Sequence, residues 1–99
     1  MTLGLNVEDY ELFKKKVIHP LKLLGYKIYV FGSRATGKQH IFSDLDLMIV
    51  PPNNFDQKLF FEIKESIENA RFPVKIDFVF ENELASSYRE RIDKEKIEL

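Results

Sequence analysis

Two aspartates, Asp44 and Asp46, interrupt the otherwise apolar run "DLDLMIV" (44–50), ten residues after the pair Gly32-Ser33. On an extended strand, side chains two apart share a face. The two carboxylates then stand about 7 Å apart or less, while Leu45, Leu47 and Ile49 turn the other way into a core. Like charges at that separation repel by about 2 kcal/mol at an effective dielectric of about 20. A cation bound between them removes that cost. Hard oxygen ligands at a strand end suit Mg2+, which keeps some waters and shares its other positions with phosphates. The segment "VKIDFVF" (74–80) offers a third acid, Asp77, on the face away from Ile76, Phe78 and Phe80. If this strand lies beside the first, Asp44, Asp46 and Asp77 form a catalytic triad. It suits two metal ions about 3.5–4 Å apart, the arrangement used for in-line displacement at phosphorus.

Gly32-Ser33 complements the acids. Glycine lets a phosphate approach the backbone closely, and amides opening a helical turn attract an anion. The Ser33 hydroxyl adds a donor, and Arg34 and Lys38 stand nearby as charge partners. Gly32, Ser33 and Arg34 are thus the expected nucleotide-binding set. Anion donors opposite metal ligands are what a nucleoside triphosphate requires. Each part alone has an ordinary explanation: a turn, a strand start, a solvated loop charge. The combination carries the reading. His19 and His40 have no paired ligand spacing and are expected at the surface.

Five further segments must position these residues. Asn6 can cap a helix with Glu8 and Asp9 in its first turn. Val7, Tyr10, Phe13, Val17, Leu21 and Leu24 make its apolar stripe. Pro20 predicts a kink or break near His19, and Gly25 an end. "YKIYVF" (26–31) reads as a strand, and the connection to the next strand has room for one helical turn after Gly32. Pro51 and Pro52 stop the strand 44–50. "NNFDQKLFFEIKESIENAR" reads as a helix with Phe55, Leu59, Ile63, Ile67 and Ala70 inward. The tail starts helically from Asn82, with Leu84, Tyr88 and Ile92 four apart. Its charge-rich end, about residues 90–99, is expected to be solvated and frayed. The order α-β-β-α-β-α predicts an α/β (α+β) fold in one domain, 1–99: a small mixed sheet with helices packed on it. A helix between strands 44–50 and 74–80 predicts that they are parallel.

Composition agrees with a globular chain: 44% hydrophobic and 31% charged residues. A formal net charge of −1 supplies no positive field for a nucleic-acid backbone, so no direct nucleic-acid partner is expected. Cysteine is absent, which excludes disulfides and thiolate metal sites. No signal peptide and no apolar run of membrane-spanning length are found, so a cytoplasmic location off the membrane is expected.

"FGSRATG…SDLDLMI", followed by the strand acid in "KIDFVF", resembles the DNA polymerase β-type nucleotidyltransferase superfamily. It is closest to the minimal nucleotidyltransferases (MNT) of MNT/HEPN toxin-antitoxin pairs. That resemblance covers nearly the whole chain. It implies the polymerase β-like nucleotidyltransferase fold and a two-Mg2+ transfer of a nucleoside monophosphate, AMP from ATP, to a hydroxyl. The acceptor it implies is a tyrosine of a HEPN-domain partner, with this chain as the antitoxin. Gly32 and Ser33 would hold the phosphates, Asp44 and Asp46 both metals, and Asp77 the catalytic metal and the acceptor proton. Thr36 stands where many relatives carry Arg. Two alternatives remain from sequence: a non-catalytic antitoxin that acts by complex formation, and a small-molecule nucleotidyltransferase. Ninety-nine residues leave no room for an acceptor-holding domain. Phe61, Leu12 and Leu23, off the helical stripes, are candidate contacts with a protein acceptor.

Overall fold

The computed structural model describes residues 2–99. The chain opens with helix α1 (Val7–Phe13), whose winding widens into a π-helical stretch (Lys14–Ile18) and returns to α in α2 (His19–Leu23). Asn6 accepts from the Asp9 amide at 2.8 Å, as its position predicts. Pro20 does not break this helix. Proline cannot donate, and its ring crowds the carbonyl four residues back. The wider turn, in which the His19 amide donates to Lys14 O, absorbs that conflict just before the proline. Phe13, Val17 and Leu21 are fully buried, whereas Val7 and Leu24 at the ends of the stripe are exposed.

Gly25 turns the chain into β1 (Lys27–Phe31). A connection containing the single-turn helix α3 (Ser33–Thr36) leads to β2 (Leu45–Val50), antiparallel to β1. Pro51 and Pro52 follow directly, where β2 stops. Helix α4 (Gln57–Asn69) starts at Asp56, whose side chain accepts from the Lys58 and Leu59 amides. The chain crosses over to β3 (Ile76–Phe80), parallel to β2 as its intervening helix predicts. The inward face of α4, with Phe55 just before it, keeps Ile63 and Ile67 of the expected stripe but takes Phe60 in place of Leu59. Phe60 is buried and Leu59 exposed, because the Phe60 ring fits among Tyr26, Phe78 and Phe80, with centroids 5.0–6.0 Å away.

The end of the chain departs most from expectation. The expected helical start is helix α5 (Ser86–Glu95), but the residues from about 90 on, expected to fray, complete it and add a short β4 (Ile97–Glu98) that pairs with β1. Ile92 is fully buried, and the Leu99 amide donates to Ile28 O at 2.9 Å. The charges are paired along the outer surface: Arg89 with Glu81 and Asp93, and Lys96 with Asp93. Few apolar anchors suffice when the charged majority can remain in water. The sheet order is β3-β2-β1-β4. Leu45, Leu47 and Ile49 fill one face with Phe13, Val17, Leu21, Phe60 and Ile67, so the long helix and α4 cover that side.

Candidate active site

Strand alternation decides what the other face presents. Asp46 pairs in register with Phe31 on β1 and with Asp77 on β3. The row Phe31–Asp46–Asp77 therefore crosses three strands on one face, with neighbouring backbones about 4.8 Å apart. The next row, Tyr29–Met48–Val79, is apolar, and Met48 is fully buried. Helix α5 lies on this side, with Lys96 Nζ 4.9 Å from the Tyr29 ring centroid. Asp44 precedes β2 by one residue and is exposed, as is Asp77; Asp46 is half-buried. The three predicted acids are thus brought to one end of one face.

The Asp46 carboxyl is pushed above its ordinary range. Partial burial is the largest cause, followed by the Asp77 and Asp44 carboxylates; Arg91 opposes the shift and Glu95 adds to it. Arg91 and Glu95 both belong to α5, and Arg91 Nε lies 3.7 Å from Glu95 Oε1. Sequence reasoning missed this pair, since it lies in the part of the helix, from about residue 90, that was expected to fray.

Gly32 stands against Asp46. Its backbone takes φ +75° and ψ −157°, a conformation closed to other residues in practice. A Cβ there would come within 2.5 Å of Asp46 Oδ2. Glycine is thus required twice, by backbone conformation and by the carboxylate that approaches it. Gly32 O accepts the Ala35 and Thr36 amides, closing the turn of α3. The Ser33 and Arg34 amides lead that turn and have no earlier turn to receive them. Gly32 and Ser33 therefore lie where the sequence placed them, beside the acids. Thr36 Oγ1 bonds back to the Gly32 and Ser33 carbonyls, within its own turn.

Arg34 is not a phosphate ligand in this arrangement, contrary to the sequence expectation. Its guanidinium is buried and donates to four backbone carbonyls: Ser43 O and Leu3 O at 2.9 Å, Ile41 O at 3.3 Å and His40 O at 3.5 Å. A planar fork of five donors suits that task. It ties the N-terminal loop to the turn 40–43, which runs directly into Asp44. The guanidinium is thus committed to the backbone that leads into Asp44. Lys38, His19 and His40 are at the surface, the histidines as expected.

Carboxylate oxygens are the donor type a hard divalent cation takes. The cradle at Gly32 brings backbone close to Asp46, whose proton affinity is raised by burial first and then by the Asp77 and Asp44 carboxylates, against the partial opposition of Arg91. Among the described residues, no three acidic, histidine or cysteine side chains stand close enough together to hold a metal ion by themselves. An open arc suits an ion that takes its remaining ligands from water and a phosphate.

Comparison with known proteins bears on this geometry. Residues 26–99 match the family model described as polymerase beta, nucleotidyltransferase, a span running from β1 through all three acids to β4. The chain belongs to the polymerase β-type nucleotidyltransferase family. Within that family it is of the minimal (MNT) type. It is 30% identical over 90 residues to the Haemophilus influenzae protein named Probable protein adenylyltransferase MntA, covering 91% of this chain and 79% of that one. A solved minimal nucleotidyltransferase superposes with a TM-score of 0.74 at 28% identity, over 97% of this chain and 98% of the other. A chain from the complex of tri-AMPylated Shewanella oneidensis HEPN toxin with MNT antitoxin gives a TM-score of 0.57 at 18% identity. That match covers 89% of this chain and 69% of that one. The fold and the nucleotidyltransferase activity follow from this membership. Among the described residues, no helix is long and apolar enough to cross a membrane.

Proposed function

We propose that this protein transfers AMP from ATP to a hydroxyl on a HEPN-type toxin, a tyrosine in our reading, and so acts as its antitoxin. The carrying observation is the Asp46–Asp77 register pair set against the Gly32-Ser33 turn. The relationship to MntA and the AMPylated HEPN toxin of the Shewanella complex support the nucleotide and the acceptor.

In this reading, Gly32 and the Ser33 amide and hydroxyl hold the triphosphate in line with the acceptor. The acceptor oxygen forms a bond to the α-phosphorus as the bond to the bridging oxygen breaks, and pyrophosphate leaves. Asp77 receives the acceptor's proton. Two Mg2+ ions, one held by Asp44 and Asp46 and the other by these with Asp77, would neutralise the charge developing on the α-phosphate. Phe31, in the same row, limits water at one side of the acids.

The test is to incubate the protein with its HEPN partner, Mg2+ and α-labelled ATP. Label is expected on the partner, and none with Asp46→Asn. A formed complex without label overturns the catalytic reading. Neutralisation that survives both Asp44→Asn and Asp46→Asn would assign the antitoxin effect to occlusion.

A further inference from the structure

Three candidates stand outside the site as described. The first is the turn 40–43, which holds Ile41 and Phe42 exposed beside Asp44. The second is the Arg91–Glu95 pair on α5. The third, which the observations carry furthest, is the free edge of β3.

Strand β3 ends the sheet, pairing with β2 alone. The Leu45 amide donates to Lys75 O at 2.8 Å, which fixes the phase of the ladder. Alternation then turns the backbone groups of Asp77 and Val79 toward β2, and those of Ile76 and Phe78 outward. Phe80 comes next outward, and its amide is already taken by Glu83 Oε1 at 3.3 Å. The open edge is therefore short, and it is centred on Asp77. Beside it runs a groove of about 560 Å³ with apolar walls from Ile67, Phe72, Val74, Ile76 and Phe78 and a polar rim of Lys64, Glu68, Lys75 and Asp77.

We propose that the acceptor is presented to the site as an extended segment that adds to the free edge of β3. This inference rests on the adenylyl-transfer reading and names how the acceptor is held. Two chemistries on opposite faces of the edge converge on that occupant. A residue paired with Asp77 in an added strand has its side chain on the Asp77 face, with Cβ atoms about 4.5–5.5 Å apart. Its hydroxyl stands beside the carboxylate that takes its proton. The residues before and after it turn to the other face, toward the apolar walls of the groove. Backbone hydrogen bonds supply affinity without regard to sequence, and the alternating pockets supply selectivity. The acceptor site thus has the pattern apolar–hydroxyl–apolar in a segment able to extend. A second copy of this chain fits less well, since it brings its own Asp77 to a face already carrying three carboxylates.

Two measurements on the complex with the HEPN partner test the edge. In the free protein, the Asp77 and Val79 amides are expected to exchange slowly with solvent deuterium, and those of Ile76 and Phe78 fast. Adding the partner with a non-hydrolysable ATP analogue should slow Ile76 and Phe78 at least tenfold. Separately, Ile76→Pro removes one outward donor at the first residue of an edge strand, a place where proline is tolerated. Measured against Ile76→Ala, it should raise the acceptor KM about fivefold and leave the ATP KM unchanged. Label transfer while the Ile76 and Phe78 amides still exchange freely would overturn the proposal. So would protection that rises with the protein's own concentration in the absence of partner, which marks self-association. Failure of transfer in a formed complex would instead sink the reading beneath it. If Ile76→Pro does not fold, the exchange measurement alone decides.

Discussion

The two faces of β2 are built on opposite terms. Leu45, Leu47 and Ile49 are fully buried against the long N-terminal helix and α4, in a cluster whose members are apolar apart from the Tyr26 hydroxyl. On the reverse, Met48 alone is fully buried, and Asp46 sits half-buried beside Asp77 with Asp44 one rung away. The first face stabilises the fold through removal of apolar area from water. The second gathers like charges that resist being gathered. One strand can carry both because the pleat separates them, so cost on one face need not propagate to the other. The lesson is that the pleat lets like charges gather on a single row while the opposite face packs apolar side chains.

Single substitutions can break that division. The largest expected effect is on catalysis: Asp46→Asn should lower adenylyl transfer by about a thousandfold, roughly 4 kcal/mol of transition-state stabilisation. In metal-free buffer the same variant should be more stable than the parent, by on the order of 1 kcal/mol, since repulsion is relieved. Label transfer and thermal melting on one preparation check both signs. A loss of stability would show that the Asp46 carboxylate supports the fold. Next is Leu47→Ala on the opposite face. It should cost about 3 kcal/mol in denaturant unfolding. Transfer per folded molecule should stay near that of the parent, and a loss comparable to that of Asp46→Asn would mean that the faces are coupled.

Arg34 links the two terms, and its removal sharpens where the boundary lies. Arg34→Ala leaves four carbonyls without their shared donor, and about 2 kcal/mol of stability should be lost. Because the turn 40–43 leads into Asp44, transfer should also fall. Lysine cannot reproduce the fork, so Arg34→Lys should rescue little of either. If ATP affinity falls in Arg34→Lys while Tm is unchanged, the arginine binds phosphate after all.

How much of this was readable beforehand depends on how local the cause is. The row of acids was legible because alternation is a property of the strand itself, and the crossover helix made β2 and β3 neighbours. Gly32 was legible because few residues can meet its backbone demand. Arg34 was misread because its partners lie in other loops, Leu3 being 31 residues away, and no local pattern announces a buried guanidinium. On α4, Phe60 holds the inward place expected for Leu59 because it answers to rings on β3 and at Tyr26, not to its own helix. The tail was misread because its charges outnumber its anchors. Ile92, Ile97 and Leu99 are enough to dock it, but only against a sheet that local patterns do not display.

The smallest expected effect is a dependence of stability on pH that belongs to the acid row alone. Burial and its carboxylate neighbours raise the proton affinity of Asp46 in the folded state. A raised carboxyl favours folding while protonated. Its contribution is complete below the unfolded value of about 3.9, and it is lost as pH rises through the higher folded value. Between the parent and Asp46→Asn, the difference in Tm should therefore be small at low pH and widen in favour of the variant as pH climbs past that range. Leu47→Ala, on the other face, should run parallel to the parent throughout, because no titrating group faces the cavity it leaves. Added Mg2+ should close the gap between Asp46→Asn and the parent, since an ion among Asp44, Asp46 and Asp77 stabilises only the charged row. A gap that persists unchanged in Mg2+ would mean that these carboxylates do not bind the ion together.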